Sequence, residues 1–154
     1  MHEIAICEDE QADRECLQGM LYTILDKYNI ERQITCYNSG EELLSSGIQF
    51  QLIFMDIVME GRNGIDIGQD IYNRNHTAKI IYQTNFGDYC KEALNPVHAF
   101  AYMEKPVDEK MLEKQVEEFL KQYQKEHRYA GCRNEDGIMA DSAEELLEML
   151  MNKE

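Results

Sequence analysis

Five times in about 120 residues, a short apolar run is followed by a segment with helical spacing, and this alternation constrains the fold more than any other feature. The apolar runs fall at 4–7 (IAIC), 33–37 (QITCY), 52–56 (LIFMD), 79–84 (KIIYQT) and 100–104 (FAYME). A first helix is predicted over 11–28, where Leu17, Met20, Leu21, Ile24, Leu25 and Tyr28 form one stripe. Ser39 and Glu42 make a capping box for a short second helix that buries Leu43 and Leu44. A third helix runs from about 64 to 74, with Ile67 and Ile71 inward and Gly68 permitting close packing. Asp88 caps a short fourth helix through Leu94, which Pro96 ends. Asp108 caps a fifth, with Leu112, Val116, Phe119, Leu120 and Tyr123 on one side. Strand–helix alternation of this kind demands an α/β fold with parallel strands, right-handed crossovers and helices on both faces. With five strands, the common doubly wound order is 2-1-3-4-5.

The central run, 52–56, is solidly apolar until Asp56, then gives way to a turn-rich segment with Gly61, Asn63 and Gly64. Such a run suits a strand buried on both faces. A carboxylate at its C-terminal end sits where open α/β sheets place ligands. The other strand ends carry their own chemistry: Glu8 and Asp9 after the first, Thr84 closing the fourth, Lys105 after the fifth. Taken alone, Asp56 reads equally well as the opening of a solvated turn, while Glu8-Asp9, Thr84 and Lys105 read more readily as ordinary strand ends and Tyr102 as core. Their placement on successive strands of one predicted sheet changes that. Three carboxylates in a single crevice raise one another's pKa unless a cation neutralises them, and hard oxygen donors suit Mg²⁺. A divalent ion beside a carboxylate, a hydroxyl and an ammonium makes a phosphoryl-transfer site with the carboxylate as nucleophile.

Composition narrows the rest. A net charge of -15 argues against this chain itself gripping DNA or RNA, because phosphate contacts need clustered Lys and Arg. The five cysteines are scattered without C-x-x-C, as expected of reduced thiols. The histidines show no metal-ligand spacing. No run approaches a membrane span, and the N-terminus reads as a strand followed by acids, so the expected location is cytoplasmic.

These residues make the chain recognisable. Glu8-Asp9, Asp56, Thr84, Tyr102 and Lys105-Pro106, at these spacings, resemble the receiver domain of bacterial two-component response regulators over about residues 3 to 123. The stretches DIVMEGRNGID, IIYQTNFGDYCKEAL and FAYMEKP look most like receivers that precede a LytTR-type DNA-binding domain. The resemblance implies a CheY-like (βα)5 fold in which Asp56 accepts a phosphoryl group from a sensor histidine kinase. It implies Mg²⁺ held by Asp9, Asp56 and the main-chain carbonyl of Val58, with Glu8 acting largely through water. Lys105 would pair with the phosphoryl group, next to a cis bond to Pro106. Thr84 and Tyr102 would form the switch, repacking the face of the fourth helix, fifth strand and fifth helix, a possible homodimer surface. Two positions depart from the pattern: Gln51, where an acid is common, and Asn85, where a small residue is usual at the mouth of the site.

Two other readings use the same residues. A haloacid-dehalogenase-type phosphatase also employs a strand-end Asp, Mg²⁺, Thr and Lys, but needs a second Asp two residues on, where this chain has Val58. A flavodoxin-like binder needs a phosphate cradle where Glu8-Asp9-Glu10 would repel one. Domain limits follow: a receiver over 1–125, a polar linker over 126–141, and an amphipathic helix over 142–154 opened by the Ser142/Glu145 capping box. Residues 126–154 hold eight acids against three Lys or Arg, a poor DNA-binding tail. The chain is expected to be either a receiver cut from a longer transcriptional regulator or a stand-alone receiver.

Overall fold

The computed structural model describes residues 2–59, 63–84 and 98–131, with side chains through 127. The elements run β1 (His2–Cys7), α1 (Gln11–Lys27), β2 (Arg32–Tyr37), α2 (Gly40–Ser45), β3 (Leu52–Asp56), α3 (Gly64–Arg74), β4 (Lys79–Thr84), β5 (Ala99–Glu104) and α4 (Glu109–Gly131). The five strands form one parallel sheet in the order β2-β1-β3-β4-β5. This is the order expected from the alternation. The predicted helices over 88–94 and 142–154 lie outside the described residues.

β3 sits in the middle, and all five of its residues are buried. Side chains alternate between two layers, as the two-residue period of a strand requires. Leu52 and Phe54 join Ile4, Ile6 and Ile81 beneath α1 and α4. Ile53 and Met55 join Ala5, Ile80 and Tyr82 beneath α2 and α3.

Local chemistry sets the helix starts. The Glu42 amide donates to Ser39 Oγ at 3.2 Å, making one half of the capping box. Asn63 caps α3, its Oδ1 accepting from the Ile65 amide at 2.6 Å. Gly64 follows because a Cβ there would collide with the carbonyl of Asp56, so the turn folds tightly against the end of β3.

One boundary is corrected. The apolar stripe of the last described helix ends at Tyr123, and residues from 126 onward read as linker. α4 instead continues to Gly131. The extra turns are held by polar and aromatic contacts that an apolar period does not register. Lys79 Nζ pairs with Glu126 Oε1 at 2.7 Å, and the rings of Tyr123 and His127 stack at 3.8 Å.

Candidate phosphoacceptor site

Register brings the strand ends level. Asp56 lies opposite Gln83, Thr84 opposite Glu104, and Cys7 opposite Met55. The residues following β1 and β5 therefore meet the last residue of β3. Glu8, Asp9 and Asp56 each place a carboxylate oxygen within 4.8 Å of the others. Glu8 and Asp56 are almost wholly buried, while Asp9 is exposed.

Lys105 reaches into this group from the far side. Its Nζ donates to Asp56 Oδ2 at 3.1 Å, closely to Glu8 Oε1, and more distantly to Asp13 Oδ2 at 3.4 Å. Its peptide bond to Pro106 is cis, and its amide donates to the Thr84 carbonyl at 2.7 Å, tying the β5 exit to the end of β4. Asp56 Oδ1 accepts from the Val58 amide at 3.3 Å, which places Val58 on the loop directly after β3. Val58 itself is half exposed. Thr84 is buried at the end of β4. Tyr102 sits one strand over from it, stacked on Tyr82 at 5.8 Å between ring centres.

The electrostatics follow from one ammonium serving several carboxylates. Burial, reinforced by Asp56, pushes the Glu8 carboxyl up to about 7, against the pull of its bonds from Lys105 and the Glu10 amide. Burial alone would lower the Lys105 pKa, but Glu8 and Asp56 more than offset it, so it is raised and the side chain stays charged. Beneath the site, burial raises the Cys7 thiol to about 12, with Asp56 and Glu8 adding to it. The thiol packs against Met59 Sδ at 3.7 Å and is an inert core group. A donor set of three carboxylates, under-compensated by one lysine, fits a hard divalent cation such as Mg²⁺.

Glu8, Asp9, Asp56 and Lys105 thus converge on one crevice, with Thr84 buried at the neighbouring end of β4 and Tyr102 one strand further over. Sequence reasoning missed two supports. Asp13, in the first turn of α1, shares Lys105. Arg14 donates to the Glu8 carbonyl at 3.0 Å and to Asn38 Oδ1 at 2.7 Å, pinning the end of β1 to the turn before α2. Their only signal was position: the turn of helix after a strand end passes over that end.

A five-stranded parallel sheet with acids, hydroxyl and lysine on its C-terminal edge defines a phosphoacceptor-type α/β domain. The chain belongs to the response regulator receiver domain family, which it matches over residues 4–117. Among curated proteins it is similar to the sensory transduction protein LytT of Bacillus subtilis (strain 168), 27% identical over 128 residues, covering 83% of this chain and 50% of that protein. It is 30% identical over 115 residues to the transcriptional regulatory protein BtsR of Escherichia coli (strain K12), covering 74% of this chain and 46% of BtsR. The chain therefore spans about half the length of the curated relatives it matches. Among solved structures, the response regulator TrrA of Thermotoga maritima, in complex with Mg²⁺-BeF, superposes with a TM-score of 0.65 at 27% identity, over 77% of this chain and 99% of that one. A response regulator receiver domain from Clostridium thermocellum, at 18% identity and TM-score 0.65, covers 80% of this chain and 97% of its own, and shares the fold. The phosphatase and flavodoxin-like readings are not favoured. Among the described residues, no helix is long and apolar enough to cross a membrane.

Proposed function

We propose that Asp56 is the phosphoacceptor of a phosphorelay, taking its phosphoryl group from a phosphohistidine on a sensor histidine kinase. The observation that carries this reading is the convergence of Asp56, Glu8, Asp9 and Lys105 in one partly buried crevice. An Asp56 carboxylate oxygen attacks phosphorus, the P–N bond breaks, and its electron pair returns to the imidazole of the kinase. Asp9, Asp56 and the Val58 carbonyl would hold Mg²⁺, with Glu8 supporting it, and the bound ion would supply charge neutralisation for the phosphoryl oxygens.

The chain's own groups do the rest. Lys105 holds Asp56 in place beforehand and moves its charge toward the transferred group. Thr84 donates its hydroxyl to a phosphoryl oxygen, and Tyr102 follows it inward. That motion repacks the surface carried by β5 and α4, which serves as a homodimer face. Val58 offers no carboxylate to activate water, so the aspartyl phosphate outlasts a catalytic turnover. The output is transcriptional, a reading supported by the similarity to the transcriptional regulatory protein BtsR, and the stretches DIVMEGRNGID, IIYQTNFGDYCKEAL and FAYMEKP support a DNA-binding domain of LytTR type as the partner of this receiver. The domain works in the cytoplasm.

The test is labelling by acetyl phosphate with and without Mg²⁺. Wild type incorporates phosphate only with the metal, and Asp56→Asn, which keeps the shape but not the charge, incorporates none. Undiminished, Mg²⁺-dependent labelling of Asp56→Asn would remove Asp56 from its proposed role.

A further inference from the structure

At the opposite end of the sheet from Asp56, where β3 begins, a cavity of about 200 Å³ lies between α2, α3 and the loop that joins α2 to β3. Its floor is apolar and buried, built from Leu43, Phe50, Ile53 and Ile71. Its rim is exposed and includes Gly47, Ile48 and Arg74. Gly47 takes φ +72 there, and a large apolar side chain, Ile48, is left 43% exposed at the edge.

Among the described residues, Arg74 is the one charged residue lining this cavity. Its Nη1 donates to the Leu44 carbonyl at 3.3 Å, which holds the guanidinium at the α2 side of the mouth. Acids outnumber Lys and Arg by 30 to 15 in this chain, yet among the described residues no carboxylate forms an ion pair with Arg74. The remaining guanidinium donors are arranged as a fork that matches a carboxylate.

We propose that this cavity binds a small apolar monocarboxylate, with its ring or branched chain on the floor and its carboxylate on Arg74. The size fits, since an apolar cavity of about 150 Å³ already accommodates a benzene ring. A bare inorganic anion has nothing to place on Leu43, Ile53 and Ile71. A neutral apolar molecule offers no carboxylate to the guanidinium donors that Leu44 leaves unused. A nucleotide is too large for the space. The site is separate from the crevice at Asp56, being at the other end of β3.

The experiment is a titration of the full chain with benzoate, followed residue by residue by amide NMR shifts, with benzyl alcohol as neutral isostere and inorganic phosphate as bare anion. Benzoate is expected to give saturable shifts at Leu43, Ile53 and Ile71. Benzyl alcohol should bind the same residues about ten-fold more weakly, a difference of about 1.4 kcal/mol. Phosphate should move none of them. Arg74→Gln should reduce benzoate to the affinity of benzyl alcohol while leaving acetyl phosphate labelling of Asp56 unchanged. Leu44→Trp, which fills the mouth, should remove both ligands. The proposal is overturned if Arg74→Gln binds benzoate as wild type does, if benzoate and benzyl alcohol bind alike, if benzoate shifts Lys105 and Asp13 instead, or if no shift saturates.

Discussion

α1 and α4 cover one face of the sheet and α2 and α3 the other, and the two layers are held by different means. Under α1 and α4 the core is continuous from Leu17 and Leu21 through Phe54 and Ile81 to Leu112, Val116 and Phe119. Polar clasps close it from outside. Tyr28 shares its hydroxyl between Glu113, at 2.7 Å, and Glu117, at 2.6 Å, and Lys27 pairs with Glu113 at 2.8 Å. Under α2 and α3 the apolar layer is interrupted. It includes a buried hydroxyl–imidazole pair, Tyr82 with His98, and the cavity beside Ile71. Tyr102, the proposed switch, packs on this second layer through Tyr82. The contrast suggests a division of labour. One layer is a frame that fixes the strand ends, and the other has room and polar contacts to rearrange.

The largest test of that contrast is a pair of truncations. Phe119 is 2% exposed and makes edge contacts with His2 at 5.7 Å between ring centres. Phe119→Ala should cost about 3–5 kcal/mol in urea unfolding, because a void opens in a continuous core. Ile71 already borders a cavity, so Ile71→Ala should fall at the low end of its class, about 2 kcal/mol. Equal losses would mean that the two layers are packed alike.

A smaller effect probes the second layer from within. Gly68 stands where any Cβ would meet the Tyr82 hydroxyl, so α3 approaches β4 only because position 68 has no side chain. Gly68→Ala should cost about 1–3 kcal/mol through overpacking. Tyr82→Phe removes the hydroxyl and with it the bond to His98, at a cost of about 1 kcal/mol. The double variant should be more stable than the sum of the two losses predicts, because removing the Tyr82 hydroxyl leaves space for the new methyl group. Strict additivity would show that the contact between Gly68 and Tyr82 is not what limits the approach of α3.

The comparison also shows where the sequence was legible. Strand order, helix starts and the crevice all follow from short-range patterns: apolar runs, capping residues and the residue types at strand ends. Asp56, Lys105 and Thr84 could be placed because a parallel sheet brings its C-terminal ends to one edge. Gly68, Tyr82 and His98 could not be read as a unit. They lie far apart in sequence, and each alone looks like ordinary packing. Only the crossing of α3 over β4 brings the glycine to the hydroxyl. The continuation of α4 past Tyr123 was hidden for a similar reason. Glu126 is anchored by Lys79, which belongs to another element, and a hydrophobic period carries no trace of such a partner.

The smallest expected effect is a pH dependence, and it bears on both layers. His98 sits in the second layer, bonded through Nε2 to the Tyr82 hydroxyl, with Tyr72 of α3 at 5.8 Å and His76 tilted against Tyr72 at 4.8 Å between ring centres. His2 sits in the first, against Phe119 and Tyr123. Burial lowers the pKa of His98; burial, the N-terminal charge and His127 lower that of His2. Each imidazole is therefore held neutral in the fold at pH values where the unfolded chain, with histidines near about 6.5, takes up a proton. The unfolded state then binds more protons, so stability is complete above about pH 6.5 and falls as pH drops below it. Each histidine contributes at most about 1.4 kcal/mol per pH unit to that slope. Urea midpoints measured at pH 7.5, 6.5 and 5.5 should show His98→Gln losing part of the acid-side slope and keeping the remainder. His2→Gln should do the same, and the double variant should be flatter than either. A slope left untouched by His98→Gln would mean that the second layer admits water to the imidazole, making it looser than the Tyr82 contact implies.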